Sequence, residues 1–235
     1  MAYLFESHCH TGEFGWCAKV PAAELVADYE GAGYDGVIIT NHYFDRGFAQ
    51  MPGNSWAERV DIYLAGYYAA CRAVSRPDFQ VLLGLELRFH NHMNDYLVYG
   101  VDRDFLLEYP ELYRMTVKSF RPFADRHGLC VIQAHPYREG NEPAPVRYLH
   151  GLEVYNGNPR HDNGNEMAAA SARRHGLLET ASSDYHRKED LGYGGVYFSE
   201  RPKGNRQLGR QIQAGLISGL YIADRDDRRR LAAIA

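Results

Sequence analysis

Short runs of consecutive apolar residues alternate along the chain with longer segments whose apolar residues recur three or four positions apart, the two periods of buried strands and amphipathic helices. The runs predict strands at 3–8 (YLFESH), 36–42 (GVIITNH), 81–89, 95–101, 129–135, 151–157 and 177–184. Between them the longer period predicts a helix opening at Pro21, with Leu25, Val26 and Tyr29 on one face and Gly31 and Gly33 ending it, then helices at 57–74, 113–127 and 166–175. Gly128 and Gly176 stand where the last two would close. The segment GGVYFSE at 194–200 reads as an extra edge strand and 207–222 as a closing helix. Seven strands alternating with helices, without a Gly-rich phosphate loop, predict an α/β protein whose parallel sheet closes into a barrel.

The 235 residues suit a single barrel domain spanning 1–235, and 45% hydrophobic with 24% charged residues supplies a core. With 26 basic against 30 acidic residues the net charge is −4, which disfavours sequence-independent nucleic-acid binding and an anionic membrane surface. Cys9, Cys17, Cys71 and Cys130 form no CxxC pair, and the N-terminus has neither a basic start nor a long apolar run. The expectation is a cytoplasmic protein with reduced thiols.

In an α/β barrel the chemistry comes from the carboxyl ends of the strands. Here those ends carry His8 and His10, His42, Glu86, His135, and Asp184 with His186, while Asp95 opens the fourth strand. One histidine at a strand end is ordinarily structural. Several converging on one rim form a donor set for metal ions, which need N and O ligands on all sides. The pairs His8/His10 and Asp184/His186 share an i, i+2 spacing that turns both members of an extended segment to one side.

The ordered set HCHTGE (8–13), IITNH ending at His42, GLE ending at Glu86, AHP at His135 and SDYH ending at His186 resembles the PHP (polymerase and histidinol phosphatase) domain family. The likeness spans nearly the whole chain. It implies a distorted (β/α)7 barrel with two to three divalent ions (manganese, iron or zinc) at the carboxyl rim, and phosphoester hydrolysis. Carried over motif by motif, it implies that His8, His10, Glu86 and Asp184 hold one ion. Glu86 bridges to a second with His135 and Asp95, and His42, His186 and an acidic first-loop residue take a third. Glu13 best matches that loop position, with Cys17 set behind it. Asp95 stands where the family usually has His, which hardens the second site towards manganese or iron.

The implied reaction is hydrolysis of a small phosphate ester by a metal-bound water held by Glu86, His135 and Asp184, with Arg88, Arg138 and Arg187 as candidate phosphate clamps. The partner is then a small-molecule ester, with nucleic acid entering only as a nucleotide or short oligonucleotide. Two alternatives stand beside it: an amidohydrolase-type metallohydrolase, and a non-catalytic metal-binding regulatory module. His90 and His92, in the polar turn after Glu86, are expected to be solvated, and His161 lies in a polar loop that could touch substrate.

Overall fold

The computed structural model describes residues 2–14, 17–53, 55–232 and 234. In chain order the elements are β1 (Tyr3–Cys9), α1 (Ala22–Gly31), β2 (Gly36–Ile39), β3 (His42–Tyr43), α2 (Asp45–Ala49), α3 (Trp56–Tyr63), α4 (Ala65–Ala73), β4 (Gln80–Arg88) and β5 (Asp95–Tyr99). There follow α5 (Arg103–Glu108), α6 (Val117–His127), β6 (Cys130–Gln133), β7 (Gly151–Asn156), α7 (Asn165–His175), β8 (Leu178–Ser182), β9 (Gly194–Phe198), α8 (Asn205–Gln213), β10 (Ile217–Ile222) and α9 (Arg225–Leu231). The strands form one sheet in the order β10-β9-β1-β2-β4-β5-β6-β7-β8, with β3 also on β4. The sheet curls until Tyr185, just past β8, bridges Cys9 at the end of β1, giving a nearly closed barrel.

Four details differ from the sequence expectation. β5 runs antiparallel to both β4 and β6, because the turn joining β4 to β5 leaves no room for a crossover helix. The 57–74 segment is two helices meeting at Leu64. β9 is not an edge but lies between β1 and β10. The expected helix at 207–222 covers α8 only: Gly215, at φ +90°, turns the chain back, and Ile217–Ile222 pairs with β9 as a strand.

Phe5, Ile38, Leu82, Leu97 and Ile132 fill the barrel interior, and Leu208 and Ile212 of α8 join them. α8 therefore stoppers the amino-terminal mouth. Its Gly209 lies so close that a Cβ there would stand 2.5 Å from the carbonyl oxygens of Gly128 and Tyr99. The helices pack outside, where Leu83, Leu85, Leu87, Tyr96 and Val98 meet Phe120 and Phe123 of α6. Among the described residues no helix is long and apolar enough to cross a membrane, and all four cysteines are free.

A bulge in β1 decides which residues face inward. Glu6 pairs with Val37 but Cys9 pairs with Ile39, so β1 carries one residue more than β2 across this stretch. Cys9 thus packs with Val37, Ile39 and Tyr29 on the α1 side, although simple alternation from the inward-facing Phe5 would turn it inside. The extra residue turns His8 and His10 into the barrel instead.

Candidate metal centre

At the carboxyl end the interior changes from apolar to ionisable. On β4 the inward face runs Leu82, Gly84, Glu86, so the carboxylate stands one layer above the apolar floor. Four imidazoles surround it: His42 Nδ1 at 2.6 Å and His10 Nε2 at 3.3 Å from Oε2, His135 Nε2 at 3.1 Å and His8 Nε2 at 3.4 Å from Oε1. Asp184 stands across from Glu86, its Oδ1 3.4 Å from His8 Nε2, 3.6 Å from His10 Nε2 and 3.3 Å from His186 Nδ1. His8, His10, Glu86 and Asp184 are all at most 1% exposed.

Three donor groups come together, each with its atoms within 4.8 Å of one another: His8, His10 and Asp184; His42, Glu86 and Asp95; and His10, Cys17, His42 and His186. Eight of the nine residues singled out in the sequence thus meet at one place, counting His135 through its contact with Glu86. Glu13 does not. Its carboxylate accepts the Ala22 N–H at 2.9 Å, capping the first turn of α1, where Pro21 has no N–H to offer. Cys17, from the same loop, stands among the histidines instead.

Asp95 reaches the rim because β5 is antiparallel, so its first residue lies beside the last residue of β4. It is buried rather than a surface turn residue, and it pairs with Arg88 through two contacts of 2.7 and 2.5 Å. His90 meets Asp45 at the surface and His92 Nδ1 accepts the Asn94 N–H, so both stay outside the cluster, in line with the solvated reading.

Several buried atoms of the cluster have no hydrogen-bond partner: His8 Nε2, both ring nitrogens of His10, and Glu86 Oε2, whose close neighbour His42 is not aligned to donate. Buried orphans of this kind are costly, and their N and O chemistry fits divalent metal ions. The charge balance agrees. Burial alone would raise the Glu86 and Asp184 carboxyls, but His42 and His8 hold the first, and His8 and His186 the second, well below the usual carboxylate range. Burial likewise opposes a charge on His8, yet Asp184, Glu153 and Glu86 push its pKa up, while burial and His186 push His10 down. Burial raises the Cys17 thiol, but contacts with His186 and His42 bring it down to about 6.

Sequence reasoning missed Glu153, on the inward face of β7. Its Oε1 accepts from His8 Nδ1 at 2.9 Å and Ser182 Oγ at 2.5 Å; its Oε2 accepts from the His135 N–H at 2.8 Å and Asn156 Nδ2 at 2.9 Å. It therefore fixes the His8 imidazole from behind and anchors the backbone of His135. The backbone is also strained at this rim: His135 and Asp184 have φ of +29° and +52°, a region that side-chain-bearing residues enter at a cost of about 1–3 kcal/mol and that clusters at functional sites.

A cavity of about 470 Å³ opens over the cluster, lined by His42, Glu86, Asp95, His135, Asp184 and His186 and by the cationic Lys19, Arg88, Arg138, Arg160 and Arg187. All three arginines proposed from sequence are present. Arg138 is anchored to Asp184 Oδ2 at 2.7 Å and to Asn163 and Asn156, whereas among the described residues Arg187 has only Glu189, at 3.7 Å, as an ion-pair partner. Lys19 and Arg160 were not foreseen, although Arg160 precedes His161 in the polar loop noted above, and His161 does line the cavity.

Fold and cluster together define a barrel with a buried histidine–carboxylate donor set at its carboxyl mouth. No protein-family model and no curated protein matches the sequence. Solved structures do match in fold. One is PsfC from Pseudomonas syringae, with TM-score 0.68 and 14% identity over 99% of this chain and 96% of that one. Another is a two-domain protein from Bacteroides vulgatus described as containing a predicted PHP-like metal-dependent phosphoesterase, with TM-score 0.65 and 16% identity over 98% of this chain and 69% of that one. A third is an amidohydrolase from Chromobacterium violaceum with bound sulfate, with TM-score 0.52 and 14% identity over 94% and 99%. The protein thus shares the fold of a PHP-like barrel.

Proposed function

We propose that the protein is a metal-dependent hydrolase of the PHP type that cleaves a small phosphate ester. The observation that carries this reading is the unpartnered, buried N and O atoms of His8, His10 and Glu86, directly beneath a cavity lined by five cationic side chains. Likeness in fold to a protein described as containing a PHP-like phosphoesterase supports it. His8, Asp184 and Glu86 would hold one ion, Glu86 would reach to a second with His135 and Asp95 beside it, and His42 and His186 would serve a third, with His10 placed between the first and the third. Divalent ions bound there would activate water at neutral pH and neutralise charge on phosphoryl oxygens.

The chain's own residues do the rest. Glu153 holds the His8 ring so that Nδ1 carries the proton and Nε2 presents its lone pair to the cluster. Arg138, braced by Asp184, Asn156 and Asn163, places a guanidinium at a fixed point on the wall, suited to an anionic ester oxygen. Burial of the donors keeps water from screening these charges.

Hydrolysis of an amide or lactone could use the same donors, and one fold match is an amidohydrolase. The cationic lining favours the charged ester. The test is a panel of phosphomonoesters, phosphodiesters, amides and lactones, assayed with protein loaded in turn with manganese, iron and zinc. Turnover of an ester that is lost in Glu86→Gln is expected. Turnover of amides or lactones alone would transfer the protein to the second reading, and metal binding without any turnover would make it a regulatory module.

A further inference from the structure

We propose that Cys17 is a metal ligand, joining His10, His42 and His186 in a sulfur–nitrogen site that selects a zinc-type ion beside the oxygen-rich sites at Glu86 and Asp184. This rests on the metal-dependent reading above and gives one of its sites a chemistry of its own. One donor atom from each of the four residues lies within 4.8 Å of every other. The thiol would carry little alone; His10 supplies the independent observation. It is 1% exposed and neither ring nitrogen has a hydrogen-bond partner, which makes sense when the ring faces an ion.

The surrounding geometry agrees. The rings of His186 and His42 have their centroids 4.1 and 4.6 Å from that of His10. The His186 Nδ1–H donates to the Asp184 carbonyl oxygen at 2.9 Å, so Nε2 is left as the lone-pair atom. The acidic residue of the same loop is committed elsewhere, Glu13 holding the start of α1. A thiolate with three imidazoles is a four-donor set that suits zinc or cobalt, whereas carboxylate-rich sets suit manganese or iron. The molecule would then hold two kinds of ion a few ångströms apart.

Cobalt(II) tests this without a substrate. Metal-free protein titrated with cobalt should develop the near-ultraviolet thiolate-to-cobalt charge-transfer band, and Cys17→Ser should lose both the band and one tightly held ion. Cys17→Asp should restore the stoichiometry without the band and shift preference from zinc towards manganese. Bound cobalt without the band in the wild type, or unchanged zinc stoichiometry and affinity in Cys17→Ser, overturns the Cys17 assignment and leaves the metal-dependent reading standing. Failure of the wild type to bind any divalent ion overturns both.

A second observation carries an inference of its own. Next to the cluster lies an apolar cavity of about 410 Å³, walled by Phe14, Phe44, Met51, Pro52 and Ile62, and His42 and Cys17 line both cavities. Its volume falls in the range of roughly 300–1,000 Å³ found for ligand pockets. We infer that it seats the leaving group of the substrate, an aromatic or branched-aliphatic body attached to the phosphate. Inhibition by phenylphosphonate and methylphosphonate separates this from the reactivity of esters. Phenylphosphonate should inhibit at least about tenfold more tightly, from burial of the ring. Ile62→Glu should erase that preference while leaving methylphosphonate inhibition unchanged. Equal inhibition of the wild type by the two compounds overturns the pocket assignment. If neither compound inhibits, the phosphate-ester reading and this inference fall together.

Discussion

Replacing Glu153 by Gln keeps the shape of a buried side chain and removes one of its two acceptors. Four donors converge on the carboxylate, two on each oxygen. A glutamine offers one oxygen and one NH2 group, so one pair must face a donor. The His135 N–H cannot turn away, because it belongs to the backbone; Ser182 can rotate its hydroxyl, and His8 can move its proton to Nε2. The glutamine oxygen should therefore face His135, and its NH2 should face His8 Nδ1, which then becomes the acceptor. That places a proton on Nε2, the atom that faces Glu86 and Asp184 at 3.4 Å and must offer a lone pair to bind an ion. Loss of such a partner behind a metal-binding imidazole typically costs 10–100-fold in metal affinity, about 1.4–2.8 kcal/mol. Competition of manganese and zinc against a fluorescent chelator measures it, with circular dichroism confirming the fold. Wild-type affinity in a folded Glu153→Gln protein would refute the tautomer argument.

Glu86→Gln should lower turnover at least about 100-fold and reduce bound metal, since the charge that four imidazoles surround is gone; elemental analysis with a rate measurement checks both, and full occupancy with retained rate counts against the central role. Glu13→Ala should cost about 0.5–2 kcal/mol of stability, as for a lost helix cap, while leaving metal content unchanged; a missing ion would return Glu13 to the donor set. His150 gives a pH dependence away from the cluster. Burial and Arg121 lower its pKa, and its neutral Nδ1 accepts the Val131 N–H at 3.0 Å. The unfolded chain therefore binds this proton more readily, so stability should rise with pH and fall on acidification below about 6.5. His150→Gln should flatten that slope in melting curves taken from pH 5 to 8, and superimposable profiles would exclude the effect.

Most of the donor set was legible because it combines a period-two apolar run with an imidazole or carboxylate at its end, and a barrel sends all such ends to one rim. Asp95 fitted for a reason the sequence did not display: its strand runs the opposite way, so opening a strand there is equivalent to ending one elsewhere. The inward turn of His8 and His10 depends on a bulge, and bulges leave no mark in apolar periodicity. Glu153 was hidden for a similar reason. Within GLEVYN it looks like the polar member of an alternating strand, and only the closed sheet places that face inside. Glu13 outranked Cys17 on charge alone, whereas the preceding Pro21 leaves the first turn of α1 in want of an acceptor that Glu13 supplies. The last strand was lost to a helix because GLISGLYI carries too few polar residues to separate the two periods, and Gly215 falls within the expected helix instead of marking a reversal.

The seam where Tyr185 meets β1, with the His10 N–H donating to the Tyr185 carbonyl and the Tyr185 N–H to that of His8, joins residues far apart in the sequence. His8 and His10 share donor groups with Asp184 and His186, so two of those groups lack a member until the seam forms. An unclosed chain thus carries a pair of imidazoles with only part of their complement, and pairing of this long range is slow to form. An ion that arrives before the seam closes meets a partial ligand set; one that arrives afterwards binds the closed barrel in preference to the open one and holds the two ends together. An ion held there would act as a lock on the barrel, its occupancy tied to closure of the seam.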